Sequence, residues 1–217
     1  SRVPANEIVG LAPGELFVHR NVANLVFHND FSCLSVLQYA IDVLGIEHVI
    51  VCGHYGCGGV MAAYEQRPLG LVDNWLLPIR DTARAYASQL AALSTDQDRV
   101  DRLCELNVLA QARRVCRTTI VQQAWEKGRS LAVHAWVYRL NDGLLRDLGG
   151  QSYLVMAMSE IATGVTSSLL TDVADGVLKE RRQLVLMGRE TPLHTDHLRT
   201  MTRLSGMGAI VAPPVPA

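Results

Sequence analysis

The sequence of 217 residues predicts an α/β protein with a parallel-rich central sheet flanked by helices. The run at 48–52, His-Val-Ile-Val-Cys, is short, apolar and β-branched, as buried parallel strands usually are. Segments with apolar residues at a 3.6-residue period follow it and predict helices. Strand patterns that alternate with helical patterns are typical of the α/β class.

The composition of the sequence excludes some classes of function for this protein. A hydrophobic content of 49% and a charged content of 19% describe an ordinary soluble globular protein. The formal net charge of −1 excludes the basic surface that nucleic acids or anionic membranes require, and no apolar run is long enough to span a membrane. Five cysteines, an odd number, suit a reducing compartment, so we expect a cytoplasmic protein. A targeting segment upstream of Ser1 stays open.

The amino-terminal elements are predicted from turn and cap signals. After the Ala-Pro-Gly turn at 12–14, residues 15–20 alternate in strand fashion. Asn29 or Asp30 caps a helix whose apolar positions repeat every 3.6 residues, and Gly45 ends it. Strand and helix patterns then alternate. In chain order they are a strand at 48–52, helices near 58–65, 70–92, 95–117 and 118–128, and a strand at 131–138 followed by a turn at 141–143.

The most specific motif is the stretch at 51–59, which reads Val-Cys-Gly-His-Tyr-Gly-Cys-Gly-Gly. His54 and Cys57 offer an imidazole and a thiolate three residues apart, and zinc prefers both types of ligand. They fall at the carboxyl end of a predicted strand, where open α/β sheets bind ligands. Glycines there allow the main chain to direct its N–H groups at the sulfur. The alternative interpretation is a buried histidine and a buried thiol without a metal.

Six collinear segments of residues 1–148 together resemble the β-class carbonic anhydrases in their order and spacing. A lone His-x-x-Cys would be weak evidence, whereas six segments over two thirds of the chain are specific. The segments are 1–5 (Ser-Arg-Val-Pro-Ala), 14–24 (Gly-Glu-Leu-Phe-Val-His-Arg-Asn-Val-Ala-Asn), 51–59, 74–77 (Asn-Trp-Leu-Leu), 103–108 (Leu-Cys-Glu-Leu-Asn-Val) and 142–148 (Asp-Gly-Leu-Leu-Arg-Asp-Leu).

The resemblance implies zinc-dependent reversible hydration of carbon dioxide to bicarbonate by a homodimer or a higher homo-oligomer. It makes His54 and Cys57 metal ligands. The family's motif Cys-x-Asp-x-Arg supplies a third ligand, the cysteine, and an aspartate that pairs with the arginine. Ser1 and Arg2 match its last two positions, so Arg2 would be the catalytic arginine, and the cysteine and aspartate are not among the 217 residues. The alternatives are a terminal Arg2 with no fixed role and a non-catalytic scaffold.

The sequence changes character at the glycine pair 149–150. Residues 149–156 form a junction, and residues 157–217 resemble the second half of the flavin prenyltransferases, on segments at 161–170, 177–182 and 189–194. The pattern there is a helix near 165–182, a strand at 183–187, a helix near 195–205 and a strand at 208–212, a βαβ-like fragment. A natural fusion, a recombined sequence and an artificial chain would each explain the join.

The second resemblance implies an alternative function, FMN-dependent prenyl transfer. It places Lys179, Arg189 and Glu190 around the phosphate and the prenyl substrate. Asp172 stands where that family has an arginine, and a carboxylate there would repel a phosphate. The pattern of helix surface charges followed by a turn is the simpler interpretation of this segment.

Overall fold

The structure is a computed structural model that describes residues 3–151, 185–187, 202–207 and 209–212. It divides into two compact units, Ser1–Gly150 and Gln151–Ala217. None of the helices in the described ranges is long and apolar enough to cross a membrane.

The first unit contains a three-stranded sheet with the order β1-β2-β3, formed by β1 (His48–His54), β2 (Ala132–Tyr138) and β3 (Leu145–Gln151). Strands β1 and β2 are parallel, in register from His48 opposite Ala132 to His54 opposite Tyr138. A tight turn joins β2 to β3, since the Gly143 N–H donates to the Arg139 carbonyl at 3.0 Å. The predicted α/β class with a sheet flanked by helices is confirmed.

Helices make up most of the first unit. They are α1 (Ala5–Val9), α2 (Phe31–Gln38, continued by a π-turn at Tyr39–Val43), α3 (Gly58–Glu65), α4 (Val72–Ala85), α5 (Ala87–Ala91), α6 (Asp96–Cys116) and α7 (Thr119–Glu126), with a 3₁₀ turn at Val22–Asn24. Side chains cap the amino termini of two of these helices. Asp30 accepts from the backbone N–H groups of Ser32 and Cys33, and Thr95 accepts from Asp98.

Helix α6 covers one face of the sheet. Its Leu103 and Val108 are fully buried, as are Val133 and Val137 of β2. Each such side chain contributes about 1.5–3 kcal/mol by leaving water. Gly53 of β1 lies so close to α6 that an added Cβ would collide with Val108. The close approach of helix and strand therefore requires a glycine at this position.

Two predicted elements are wrong. Residues 15–20 form no strand and pair with no described strand, and all of them except Leu16 are exposed. The alternating pattern forms no strand there because neither set of its side chains is buried. The Glu15 carboxylate instead accepts a hydrogen bond from the Ala12 N–H at 2.7 Å. The single helix predicted near 70–92 is two helices, because the backbone of Tyr86 (φ −111°, ψ 22°) interrupts it.

The second unit is described in part. Strand β4 (Val185–Met187) pairs in parallel with β5 (Ile210–Ala212), and 202–206 is helical. Leu204 of this helix is fully buried. These elements agree with the strands predicted at 183–187 and 208–212 and with the end of the helix predicted near 195–205. The helix predicted near 165–182 lies outside the described residues, as do Lys179, Arg189 and Glu190.

Candidate active site

The turn between β1 and α3 brings His54 and Cys57 to one place. His54 is the last residue of β1, and Cys57 is the N-cap of α3 with extended backbone (φ −67°, ψ 117°). Between them Gly56 adopts a left-handed conformation (φ +67°), which a side chain would strain. A strand, a three-residue turn and a helix therefore position both side chains by backbone geometry alone.

The hydrogen bonds of this pair favour ligand chemistry. His54 Nδ1 donates to the Tyr55 carbonyl at 2.9 Å, so Nε2 is the ring nitrogen that would act as a ligand. Burial by itself would raise the pKa of the Cys57 thiol, but the His54 side chain and the N–H groups of Val60 and Gly59 lower that pKa below its ordinary value. The structure thus brings the two predicted ligands together, and their binding of a metal stays a prediction.

His54 lines a cleft of about 340 Å³ that runs along β1. Arg20, Cys52, Trp136 and Tyr138 also line this cleft. Cys52 is exposed, although the partial burial of its thiol raises the pKa to about 11. A small molecule can therefore approach the imidazole from solvent.

At the β1–α3 turn, the described residues contribute two potential metal ligands, His54 and Cys57. Within residues 3–151 and the short described segments after them, no group of three or more His, Cys, Asp or Glu side chains converges as metal ligands would. Arg2, the predicted catalytic arginine, lies outside the described residues. An imidazole and a thiol of lowered pKa fit two positions of a zinc site, and a third protein ligand would be needed beside them.

Sequence reasoning missed a charge network that is centred on a buried carboxylate beneath the site. The Glu105 carboxylate, in a residue 6% exposed, accepts from the Tyr55 hydroxyl at 2.6 Å. The guanidinium groups of Arg102 and Arg146 donate to the same carboxylate at 2.6 and 2.7 Å. The Arg139 guanidinium lies 4.5 Å from the centre of the Tyr55 ring. This network anchors the turn residue that lies between His54 and Cys57, and no spacing in the sequence indicated it.

A second buried polar chain holds the loop at 23–26 against α6. The Asn107 side chain donates to the Ala23 carbonyl at 3.0 Å, and Gln111 donates to Asn107 at 3.0 Å. The Val26 N–H in turn donates to Gln111 at 3.0 Å. These buried polar groups satisfy one another's hydrogen-bonding capacity without water. They therefore fix the loop at 23–26, which packs against the glycines of the site.

Cys104 of α6 lies close to the turn as well. It is 2% exposed, and burial raises the pKa of its thiol to about 12. The backbone N–H of Cys57 faces this sulfur. Cys104 is therefore a neutral thiol that packs beneath the turn as a small apolar residue.

The fold and the pair at the strand end define a class, α/β proteins that bind small ligands at the carboxyl edge of a parallel pair of strands. Within that class the chain belongs to the carbonic anhydrases, because the family model described as carbonic anhydrase matches residues 1–145. A carbonic anhydrase of Emericella nidulans is 51% identical over 148 residues, or 68% of this chain and 65% of the relative. One of Candida albicans is 36% identical, over 64% of this chain and 50% of the relative. The chain thus spans two thirds or less of these curated relatives.

Solved structures assign the β class. The Coccomyxa β-carbonic anhydrase in complex with acetazolamide superimposes with a TM-score of 0.68 at 37% identity, covering 81% of this chain and 78% of that one. A Sordaria macrospora β-carbonic anhydrase, described as tetrameric, gives a TM-score of 0.65 at 34% identity, covering 69% and 76%. The resemblance to the β-class carbonic anhydrases is confirmed.

A second family shares a short stretch with this chain. The Escherichia coli flavin prenyltransferase UbiX is 56% identical over 63 residues, which are 29% of this chain and 33% of the relative. The partial resemblance to flavin prenyltransferases is therefore confirmed as a sequence similarity over about a third of that protein.

Proposed function

We propose that the first unit performs zinc-dependent, reversible hydration of carbon dioxide to bicarbonate, with His54 and Cys57 as two of the zinc ligands. The observation that carries this proposal is the pairing of the two side chains at the β1–α3 turn of a chain of the carbonic anhydrase family. When bound by these residues, zinc would supply a nucleophile for carbon dioxide, because it would lower the pKa of a coordinated water to about 7.

The residues of this chain have separate tasks in that proposal. His54 and Cys57 hold the ion, and the hydrogen bond from His54 Nδ1 to Tyr55 fixes the ring so that Nε2 is the ligand. The N–H groups of Gly59 and Val60 stabilise the thiolate. Glu105 keeps Tyr55 in place. The cleft admits the substrate to the imidazole side of the pair.

The direct test compares the 217-residue chain with a chain extended upstream of Ser1 by Cys-Ala-Asp, which completes the family's motif. We expect the extended chain to bind about one zinc per chain, because three protein ligands make a catalytic zinc site. We expect it to hydrate carbon dioxide in a stopped-flow assay. Zinc content is measured by mass spectrometry after dialysis.

The matched variants are His54→Ala and His28→Ala in the extended chain. His28 hydrogen-bonds the Arg114 carbonyl and serves as a histidine control outside the turn. Zinc and activity should be lost in the first variant and kept in the second. An extended, folded chain that holds no zinc would overturn the proposal and leave the non-catalytic scaffold as the better account.

Self-association belongs to the same proposal. Phe31 is 79% exposed and Leu71 is 86% exposed, which is costly for large apolar side chains on an isolated chain. The Sordaria relative is described as tetrameric. We expect a homodimer or a higher homo-oligomer in light scattering, and a compact monomer would contradict this part.

A second candidate function is FMN-dependent prenyl transfer by the second unit. Its support is the 56% identity to the E. coli flavin prenyltransferase over 63 residues. Under this proposal Lys179, Arg189 and Glu190 contact the phosphate and the prenyl substrate, with Asp172 opposing them. Titration with FMN tests it: a yellow complex that Arg189→Ala abolishes would support it, and a chain that binds no FMN would exclude it.

A further inference from the structure

The face of the sheet opposite α6 carries a second pair of metal-ligand side chains, away from the candidate active site. Residues at alternate positions of β1 share this face, so His48, Ile50 and His54 all lie on it. On β2, His134 is the register partner of Ile50. His48 and His134 are therefore diagonal neighbours on adjacent strands. His48 Nδ1 and His134 Nε2 lie 3.1 Å apart.

We propose that His48 and His134 together bind one divalent transition metal ion of the kind that prefers imidazole, such as Ni²⁺, Zn²⁺ or Cu²⁺. Two imidazole nitrogens that bind one ion at about 2.0–2.1 Å in adjacent positions lie about 3 Å apart. The separation in the structure already has this value, and the two rings are tilted by 49° rather than stacked. Binding requires both rings to turn so that their lone pairs point at one ion instead of along the N–N line.

The proton balance of binding is simple. In the hydrogen-bonded pair, one of the two facing nitrogens carries the proton that the other accepts. When the metal binds, the donor ring moves that proton to its second nitrogen, so both facing nitrogens become ligands and each ring stays neutral. No oxidant and no further reactant is needed. Water completes the coordination, because His48 is exposed to solvent.

The surroundings suit a cation. Burial, followed by the charge of His48, lowers the pKa of His134 below its ordinary value. The carboxylate of Asp147 acts on His134 in the opposite direction and would attract a bound cation. The Trp136 ring lies 5.9 Å from the His134 ring, which provides an optical signal for a bound paramagnetic ion.

This pair is independent of the proposed zinc site. His48 and His54 occupy opposite ends of β1, so about 20 Å of strand separates them. Loss of one site therefore leaves the other in place, and a single set of variants distinguishes them.

The experiment titrates the full chain with Ni²⁺, which does not oxidise thiols, by isothermal titration calorimetry and by quenching of tryptophan fluorescence. The variants His48→Gln and His134→Gln keep a polar side chain but remove a ligand. We expect each to weaken nickel binding by about tenfold or more, with unchanged circular dichroism. The titration is repeated in a chain that carries both His54→Ala and Cys57→Ala, which removes the pair at the β1–α3 turn. His28→Gln, at a histidine outside both pairs, is the control that should bind nickel as its parent chain does.

Three results would overturn the proposal. They are the absence of nickel binding at millimolar concentration, binding that His48→Gln leaves unchanged, and binding that His54→Ala and Cys57→Ala together abolish. The last result would assign the nickel to the β1–α3 turn instead.

Discussion

The two faces of the β1–β2 sheet differ in what they contribute. The face toward α6 is closed by buried apolar side chains, among them Leu103 and Val133. The opposite face carries His48, His54 and His134, which are exposed or half-buried, and it opens on the cleft. One face of this sheet therefore contributes stability, and the other carries the side chains that could perform chemistry. Helix α6 packs behind strands β1 and β2, and the three histidines lie on the opposite, open face.

The largest difference between the faces should appear in stability. Leu103→Ala in α6 removes a fully buried side chain and should lower the free energy of unfolding by about 3 kcal/mol. Ile50→Ala on the open face, where the side chain is half-buried, should cost less than half of that. Urea unfolding followed by tryptophan fluorescence measures both, since all three tryptophans lie in the first unit. Equal losses in the free energy of unfolding would show that the two faces contribute equally to stability.

A smaller effect is expected where the covered face supports the site. Glu105→Gln removes the charge that Arg102 and Arg146 share and should destabilise the chain by about 1–2 kcal/mol. Tyr55→Phe, which removes a single hydrogen bond to the same carboxylate, should cost about 1 kcal/mol. Chemical denaturation again measures the values. If Tyr55→Phe costs more than Glu105→Gln, the carboxylate is not the centre of the network.

The smallest effect concerns the pH dependence of the open face. Burial lowers the pKa of His134 below its ordinary value of 6.5, so the unfolded chain takes up this proton at a higher pH than the folded chain does. Stability should therefore be constant above about pH 7 and fall as the pH drops through 6.5.

His134→Gln should flatten this part of the stability curve, and the surface control His28→Gln should leave it unchanged. Thermal unfolding between pH 5 and pH 8 provides the measurement. A parent chain that becomes more stable as the pH falls through this window would contradict the assignment.

Much of the first unit followed from local sequence signals. The helix predicted at 58–65 has those bounds in the structure, and the predicted strand at 48–52 extends to His54. The pair of His54 and Cys57 could be predicted because a strand-to-helix turn fixes the positions of residues three apart. Helix starts at Asp30 and Thr95 followed from capping chemistry, which depends only on neighbouring residues.

The features that sequence missed depend on distant neighbours. Residues 15–20 alternate as a strand does, but strand formation requires a partner, and the pattern carries no information about one. The role of Glu105 arises because Tyr55 and Arg146 approach it, from positions 50 and 41 residues away in the chain. The pairing of His48 with His134 likewise follows from the register of two strands 86 residues apart in numbering.

The zinc-binding role of the β1–α3 turn is tested most directly by X-ray absorption of the zinc-loaded chain extended upstream by Cys-Ala-Asp. We expect sulfur neighbours at about 2.3 Å and a nitrogen neighbour at about 2.0–2.1 Å. His54→Ala should remove the nitrogen shell, and Cys57→Ala should reduce the sulfur shell, while His48→Gln changes neither. A zinc spectrum with oxygen neighbours alone, or one that His54→Ala and Cys57→Ala leave unchanged, would contradict the account.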